Sequence, residues 1–163
     1  MIKSSIKVGI IGHRSLNKDY ILLEKEISNI FNMLKMDHKI ELLSSLAIGS
    51  DTIAAKAALK DNIPLISVIP FSIEKYRDDF NATELIEFNY LIECSNQIIE
   101  LDGKDYEIAA DYLINKCDII IFVFNGKELP LIDDKNEPIN RGGTYHSLLK
   151  VRNLNKKHFI IND

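Results

Sequence analysis

Apolar positions along this chain follow two alternating rhythms. Short, near-continuous β-rich runs at residues 6–11, 40–46 (IELLSSL), 65–69 (LISVI), 97–101 (QIIEL) and 118–124 (DIIIFVF) predict five strands, and HFII at 158–161 adds a sixth. Between them, apolar residues recur at helical spacing. From Lys18 to Lys35 the stripe Tyr20, Leu23, Ile27, Ile30, Phe31 and Leu34 leaves the charges on the opposite face. Helices are also predicted over 52–60, over 84–95, around Tyr106, Ala109, Ala110 and Leu113, and around 143–153. Ser50 or Asp51 is the expected N-cap of the second helix, because either side-chain oxygen can accept an orphan amide at the helix start.

Strand–helix alternation of this kind predicts an α/β fold with a mostly parallel sheet and helices on both faces. DIIIFVF is the most apolar run, as befits a strand covered on both sides. Right-handed crossovers would place every strand-to-helix loop on one edge of the sheet, where open α/β folds bind their ligands. No repeat or linker interrupts the pattern, so residues 1–163 are expected to form a single domain. The long polar stretch at 125–142 (NGKELPLIDDKNEPINRG) reads either as a functional loop or lid, or as a merely mobile connection.

Composition narrows the function classes. A hydrophobic fraction of 46% supports a real core, and the 27% of charged residues suits an ordinary surface. The formal net charge of −4 argues against a general nucleic-acid binder, although a pocket on an acidic protein can be locally basic. No apolar run is long enough for a membrane span and no signal peptide is apparent, so a cytoplasmic location is expected. Cys94 and Cys117 lack metal-ligand or CxxC spacing and read as buried thiols. Neither a metal nor a cofactor is expected.

Candidate chemistry concentrates where the apolar runs end. VGIIGHR (Val8–Arg14) breaks at Gly12 and presents His13 and Arg14. LAIGSD (Leu46–Asp51) makes a Gly49-Ser50-Asp51 turn that opens a small-residue helix. IPFSIEKYRDDF (Ile69–Phe80) carries Glu74, Tyr76, Arg77, Asp78 and Asp79, and the last run ends in Asn125-Gly126 before Arg141-Gly142-Gly143-Thr144. The chain has only four arginines, and Arg14, Arg77 and Arg141 all fall in these loops. A guanidinium fork suits phosphate or carboxylate, and RGGT before a helix could present backbone amides to an anion. The structural alternatives are turn glycines, a surface arginine, a turn histidine and a solvated acidic face. Phe71, Tyr76 and Tyr106 could stack on a base, with core packing the competing reading for Phe71. Neither GxGxxG nor a P-loop is present, which removes support for dinucleotide dehydrogenases and phosphate-loop NTPases.

The ordered set VGIIGHR, SSLAIGSDTIAAKAAL, VIPFSIEKYRDDF, YLINKCDIIIFVFNG and RGGT resembles the SLOG superfamily from about Lys7 to Val151. That superfamily spans the Smf/DprA and LOG ("lonely guy") proteins. The resemblance implies a Rossmann-like three-layer fold. It also implies one of several activities: phosphoribohydrolysis of nucleoside monophosphates, DNA-binding recombination functions, or sensing of nucleotide signals such as cyclic ADP-ribose derivatives in bacterial defence. The chain is most similar to the sensor-like and uncharacterised bacterial branch.

Two departures bear on activity. LOG enzymes carry PGGxGTxxE with a glutamate tied to catalysis, whereas RGGTYHSL has Ser147 at that place. Relatives of this branch end the fifth strand in a Trp-Asp-Gly-like turn, whereas here it is Phe124-Asn125-Gly126. Both changes weaken hydrolysis and leave binding intact. The expected function is binding of a nucleotide-derived small molecule through Gly12, His13, Arg14, Gly49, Ser50, Asp51, Glu74, Tyr76, Asn125, Gly126, Arg141, Gly142, Gly143 and Thr144. The alternative is an N-glycosidase or phosphoribohydrolase with Glu74, Asp79 or Asp51 as its carboxylate. Expected partners are a nucleotide-like small molecule and further copies of the chain in a homo-oligomer. Nucleic acid is not expected.

Overall fold

A computed structural model describes residues 2–126, 131–132, 138–139 and 143–163. The elements are β1 (Ser4–Gly12), α1 (Tyr20–Lys35), β2 (His38–Ser44), α2 (Ser50–Lys60), β3 (Leu65–Ile69), α3 (Ile73–Tyr76), α4 (Ala82–Cys94), β4 (Gln97–Glu100), α5 (Glu107–Lys116) and β5 (Ile119–Phe124). They continue with β6 (Leu131–Ile132), β7 (Pro138–Ile139), α6 (Gly143–Asn153) and β8 (Lys157–Asn162). Six strands form one sheet in the order β4-β3-β2-β1-β5-β8, with every neighbouring pair parallel. The strand order reverses beside β1, whose partners are β2 and β5, so the crevice of an open α/β sheet falls between the β1 and β5 carboxyl ends.

Alternation along β5 divides the core in two. Ile119, Ile121 and Val123 face the layer built by α1, α2 and α4, with Leu23, Ile27, Phe31, Ile53, Phe88 and Leu91 among its buried members. Ile120, Phe122 and Phe124 face the layer of α5 and α6 through Leu113, Ile114, Leu148 and Val151. All six β5 residues are buried, which explains why this strand lacks the polar alternation of a one-sided sheet. α2 lies against β1 and β2 through Ala54, Ala55, Ala57 and Ala58, all 0% exposed. Alanines at these positions let the helix backbone approach the sheet closely.

Several boundaries shift from expectation. β2 ends at Ser44, short of Leu46, whose φ of 57° takes the chain out of the sheet. α2 begins at Ser50, with Gly49 in the N-cap place and no side-chain cap. Neither Ser50 nor Asp51 is therefore the N-cap: the Ser50 hydroxyl donates instead to the His13 carbonyl at 3.2 Å. After β3 the chain makes α3, capped by the Ser72 hydroxyl accepting from the Lys75 amide, and then a 3-10 turn over Arg77–Asp79. Both elements are too short to leave a helical period in the sequence. Cys117 is buried as expected, whereas Cys94 is only partly so, and both thiols are free. Of the 125–142 stretch the described parts are Asn125, Gly126 and the antiparallel pairing of β6 with β7. Among the described residues no helix is long and apolar enough to cross a membrane.

Candidate functional site

The β1 carboxyl end is held by the turn that opens α2. The Ser50 amide donates to the His13 carbonyl at 3.2 Å, and the Ser50 hydroxyl joins it there. Two glycines make this approach feasible. A Cβ at Gly12 would overlap the Ser50 hydroxyl, and one at Gly49 would lie 2.5 Å from the carbonyl oxygens of both His13 and Arg14. Gly49 also sits at φ 94°, a conformation that L side chains rarely adopt. Both glycines therefore build the wall. Gly12 itself lines the cavity in front of that wall, whereas Gly49 does not.

In front of it lies a cavity of about 410 Å³ at the switch point. Its floor is apolar, made by Ile10 and Ile11 of β1, Ala47, Pro70, and Ala109 and Ala110 of α5. Its polar groups come from separate elements: His13 and Arg14 after β1, Ser45 after β2, Asp51 on α2, Tyr76 on α3, Tyr106 at the entrance to α5, and Gly143 and Thr144 opening α6. This is a small-molecule pocket in size and make-up, with few convergent polar groups over an apolar base.

At the mouth, the Arg14 guanidinium rests over the Tyr106 ring, 4.8 Å from its centroid. The Tyr106 hydroxyl donates to Asp79 at 2.6 Å, and this hydrogen bond raises the phenol's pKa. Phe71 meets Tyr106 edge-on at 5.1 Å. Tyr76 is only 1% exposed, and burial, followed by the nearby Asp51 charge, pushes its phenol upward. Burial likewise raises the Asp51 carboxyl to about 7, against hydrogen bonding from Ala47, the Arg14 charge and hydrogen bonding from Ser50, all of which lower it. His13 is shifted down by burial, opposed by Asp163. Its Nε2 accepts from the Asn125 backbone amide at 3.2 Å, while hydrogen bonding with the Asn125 side chain, like Asp163, works against the downward shift.

The structure thus brings Gly12, His13, Arg14, Asp51, Tyr76, Gly143 and Thr144 to one cavity. Gly49 and Ser50 stand behind its wall, Asn125 supports His13 from outside the lining, and Gly126 is exposed. Glu74 is exposed on α3 away from the cavity, and Asp79 reaches it only through Tyr106. Arg77 points to α4, where its Nε donates to Asn89 at 3.1 Å. Arg141 and Gly142 lie outside the described residues. Ser45, Ala47, Pro70, Ala109 and Ala110 had no distinguishing signal in the sequence. They join the site through sheet order and helix packing alone. Among the described residues, no group of three or more His, Cys, Asp or Glu side chains could hold a metal ion.

No family model matches this chain, and no curated protein matches it. Solved structures do. DNA processing protein A from Streptococcus pneumoniae aligns with a TM-score of 0.66 at 19% identity, over 97% of this chain and 50% of that one. DNA processing protein A from Helicobacter pylori gives 0.61 at 20% identity, over 97% and 66%. The Moco carrier protein from Chlamydomonas reinhardtii gives 0.53 at 13% identity, over 98% and 76%. The chain spans half of the first protein and 66% of the second. These likenesses establish the fold, a Rossmann-like α/β architecture of the kind the ordered motifs implied. They also correct one expectation. The Helicobacter protein is described through a single-stranded DNA binding mode, so the expectation that nucleic acid is no partner, drawn from the acidic net charge, does not stand.

Proposed function

We propose that this chain binds a nucleotide-derived small molecule in the cavity at the β1 carboxyl end, with a signalling nucleotide such as an ADP-ribose derivative as the finer reading. The observation that carries it is convergence: a guanidinium, a helix N-terminus and an aromatic ring from three distant segments face one cavity of about 410 Å³. Arg14 supplies the positive charge for phosphate. The first turn of α6 supplies orphan amides and the Thr144 hydroxyl, the environment that favours an anion at a helix start. Tyr106 and the apolar floor suit a planar base. Ser45 and Asp51 suit ribose hydroxyls or phosphate oxygens.

Hydrolysis of such a ligand is the alternative. Its carboxylate would be Asp51, the acidic side chain on the cavity lining. Single-stranded DNA is a further reading, supported by the fold shared with the Helicobacter protein, since each nucleotide of a strand carries the same phosphate, sugar and base. Mass spectrometry of small molecules released from the purified protein tests the main reading. A nucleotide-derived species is expected from wild type and is lost in Arg14→Ala. Conversion of an added nucleotide to free base would establish hydrolysis, and a salt-dependent shift of a single-stranded oligonucleotide would establish the DNA reading.

A further inference from the structure

Asp51 has surroundings that phosphate binding by Arg14 alone does not explain. It occupies the first turn of α2 and is 8% exposed, on the cavity side. Charged and titratable groups from four segments surround this corner. The β1 loop brings Arg14 and His13, α3 brings the Tyr76 hydroxyl, the 3-10 turn brings Asp79, and the α5 entrance brings Tyr106. On α2 itself, Lys56 is engaged by Glu87 of α4 at 2.8 Å. Arg14 is therefore shared: it acts on Asp51 in the free protein and is the group that an incoming anion would meet.

We propose that Asp51 is the specificity-determining acid of this pocket, selecting ligands that bring an anion to Arg14 and drawing its proton from solvent as that anion binds. The proposal rests on the reading of the cavity as a nucleotide site. An anion at Arg14 offsets the positive charge that favours ionised Asp51 and places a like charge beside it. Burial has already moved this carboxyl to about 7, so the added negative charge carries it to the neutral form at physiological pH. Once neutral, the carboxyl has an O–H to donate to a ligand oxygen. The balance is simple: one carboxylate becomes one carboxylic acid, and the proton comes from the buffer. A ligand held through hydroxyls makes the opposite demand. It needs the ionised carboxylate and binds better as pH rises, so the sign of the pH dependence separates the two.

The test follows the Asp51 carboxyl carbon by NMR between about pH 5 and 9 in the wild-type protein, alone, with sulfate, and with ADP-ribose. Neither probe changes charge in that window, and sodium chloride at matched ionic strength is the control. With anion bound, the Asp51 midpoint is expected to rise by about a unit or more. ADP-ribose affinity, measured by calorimetry, is expected to fall as pH rises between the free and bound midpoints, about tenfold in all for each unit of that rise, with uptake of about half a proton or more. Asp51→Asn should bind with the wild type's low-pH affinity at every pH and take up no proton. An unmoved midpoint with both anions, affinity that rises with pH, or an unchanged slope in Asp51→Asn overturns the proposal. If sulfate moves the midpoint while ADP-ribose binds at no pH, the proton coupling stands and the nucleotide reading falls.

Discussion

Replacing Asp51 by Asn should make the protein more stable at neutral and alkaline pH, because the substitution removes a buried acid that is costly to ionise. The magnitude follows from the shift. The carboxyl moves from an ordinary value of 3.8 to about 7 in the fold. At about 1.4 kcal/mol per unit, this difference of roughly 3 units corresponds to about 4 kcal/mol. The sign is set by which state holds the proton. Between about pH 4 and 7 the unfolded chain has released it while the folded chain keeps it, so stability is greatest below 4 and is lost as pH rises through 7. Asparagine has the same shape and no charge, so its advantage should grow from near zero at about pH 4 to as much as 4 kcal/mol above pH 7. Urea unfolding of both proteins across this range checks it, because other carboxylates titrate alike in the two and cancel in the difference. A difference that is flat with pH, or one that favours wild type more strongly as pH rises, would refute the reasoning.

Other consequences follow from the same geometry. Gly49→Ala should cost roughly 1–3 kcal/mol from its backbone conformation alone, and more from the overlap with the His13 and Arg14 carbonyls, read as a lowered denaturation midpoint. Gly12→Ala should cost about 1–3 kcal/mol by pressing on Ser50 and Val123, and should weaken ligand binding as the β1 end moves away from α2. Tyr106→Phe keeps the ring beneath Arg14 and loses only the Asp79 hydrogen bond, so binding should survive it, while Tyr106→Ala should weaken binding; equal losses in calorimetry would contradict a stacking role. His13 should titrate below its ordinary value of 6.5 by proton NMR, with its stabilising neutral form lost as pH falls, and a raised midpoint would contradict the acceptor role of its Nε2 toward Asn125.

The sheet and its helices were largely legible because their apolar periods are long and unambiguous. DIIIFVF reads as a strand buried on both faces, and the stripe from Tyr20 to Leu34 reads as one side of a helix. α3 and its 3-10 turn were not, since seven residues give no period and are held by contacts such as Arg77 with Asn89, twelve positions away. The same reason separates the two parts of the site. Gly12, Arg14 and Thr144 announce themselves at strand and helix ends, where sheet topology alone decides that they converge. Glu74 stands only two residues from Tyr76, yet one turn of helix exposes the first and buries the second. The titration of Asp51 depends on burial among α2, the β1 loop and α3, segments that no local pattern connects.

The proposed role of Arg14 as the anion-holding group of a nucleotide pocket is tested most directly by calorimetry of wild type and Arg14→Ala against AMP, NAD and ADP-ribose. Wild type should bind at least one of them, and Arg14→Ala should bind that ligand more weakly by about 1.5–3 kcal/mol, the loss of a charge-assisted hydrogen bond. No binding across the panel, or equal affinity in the two proteins, would contradict it.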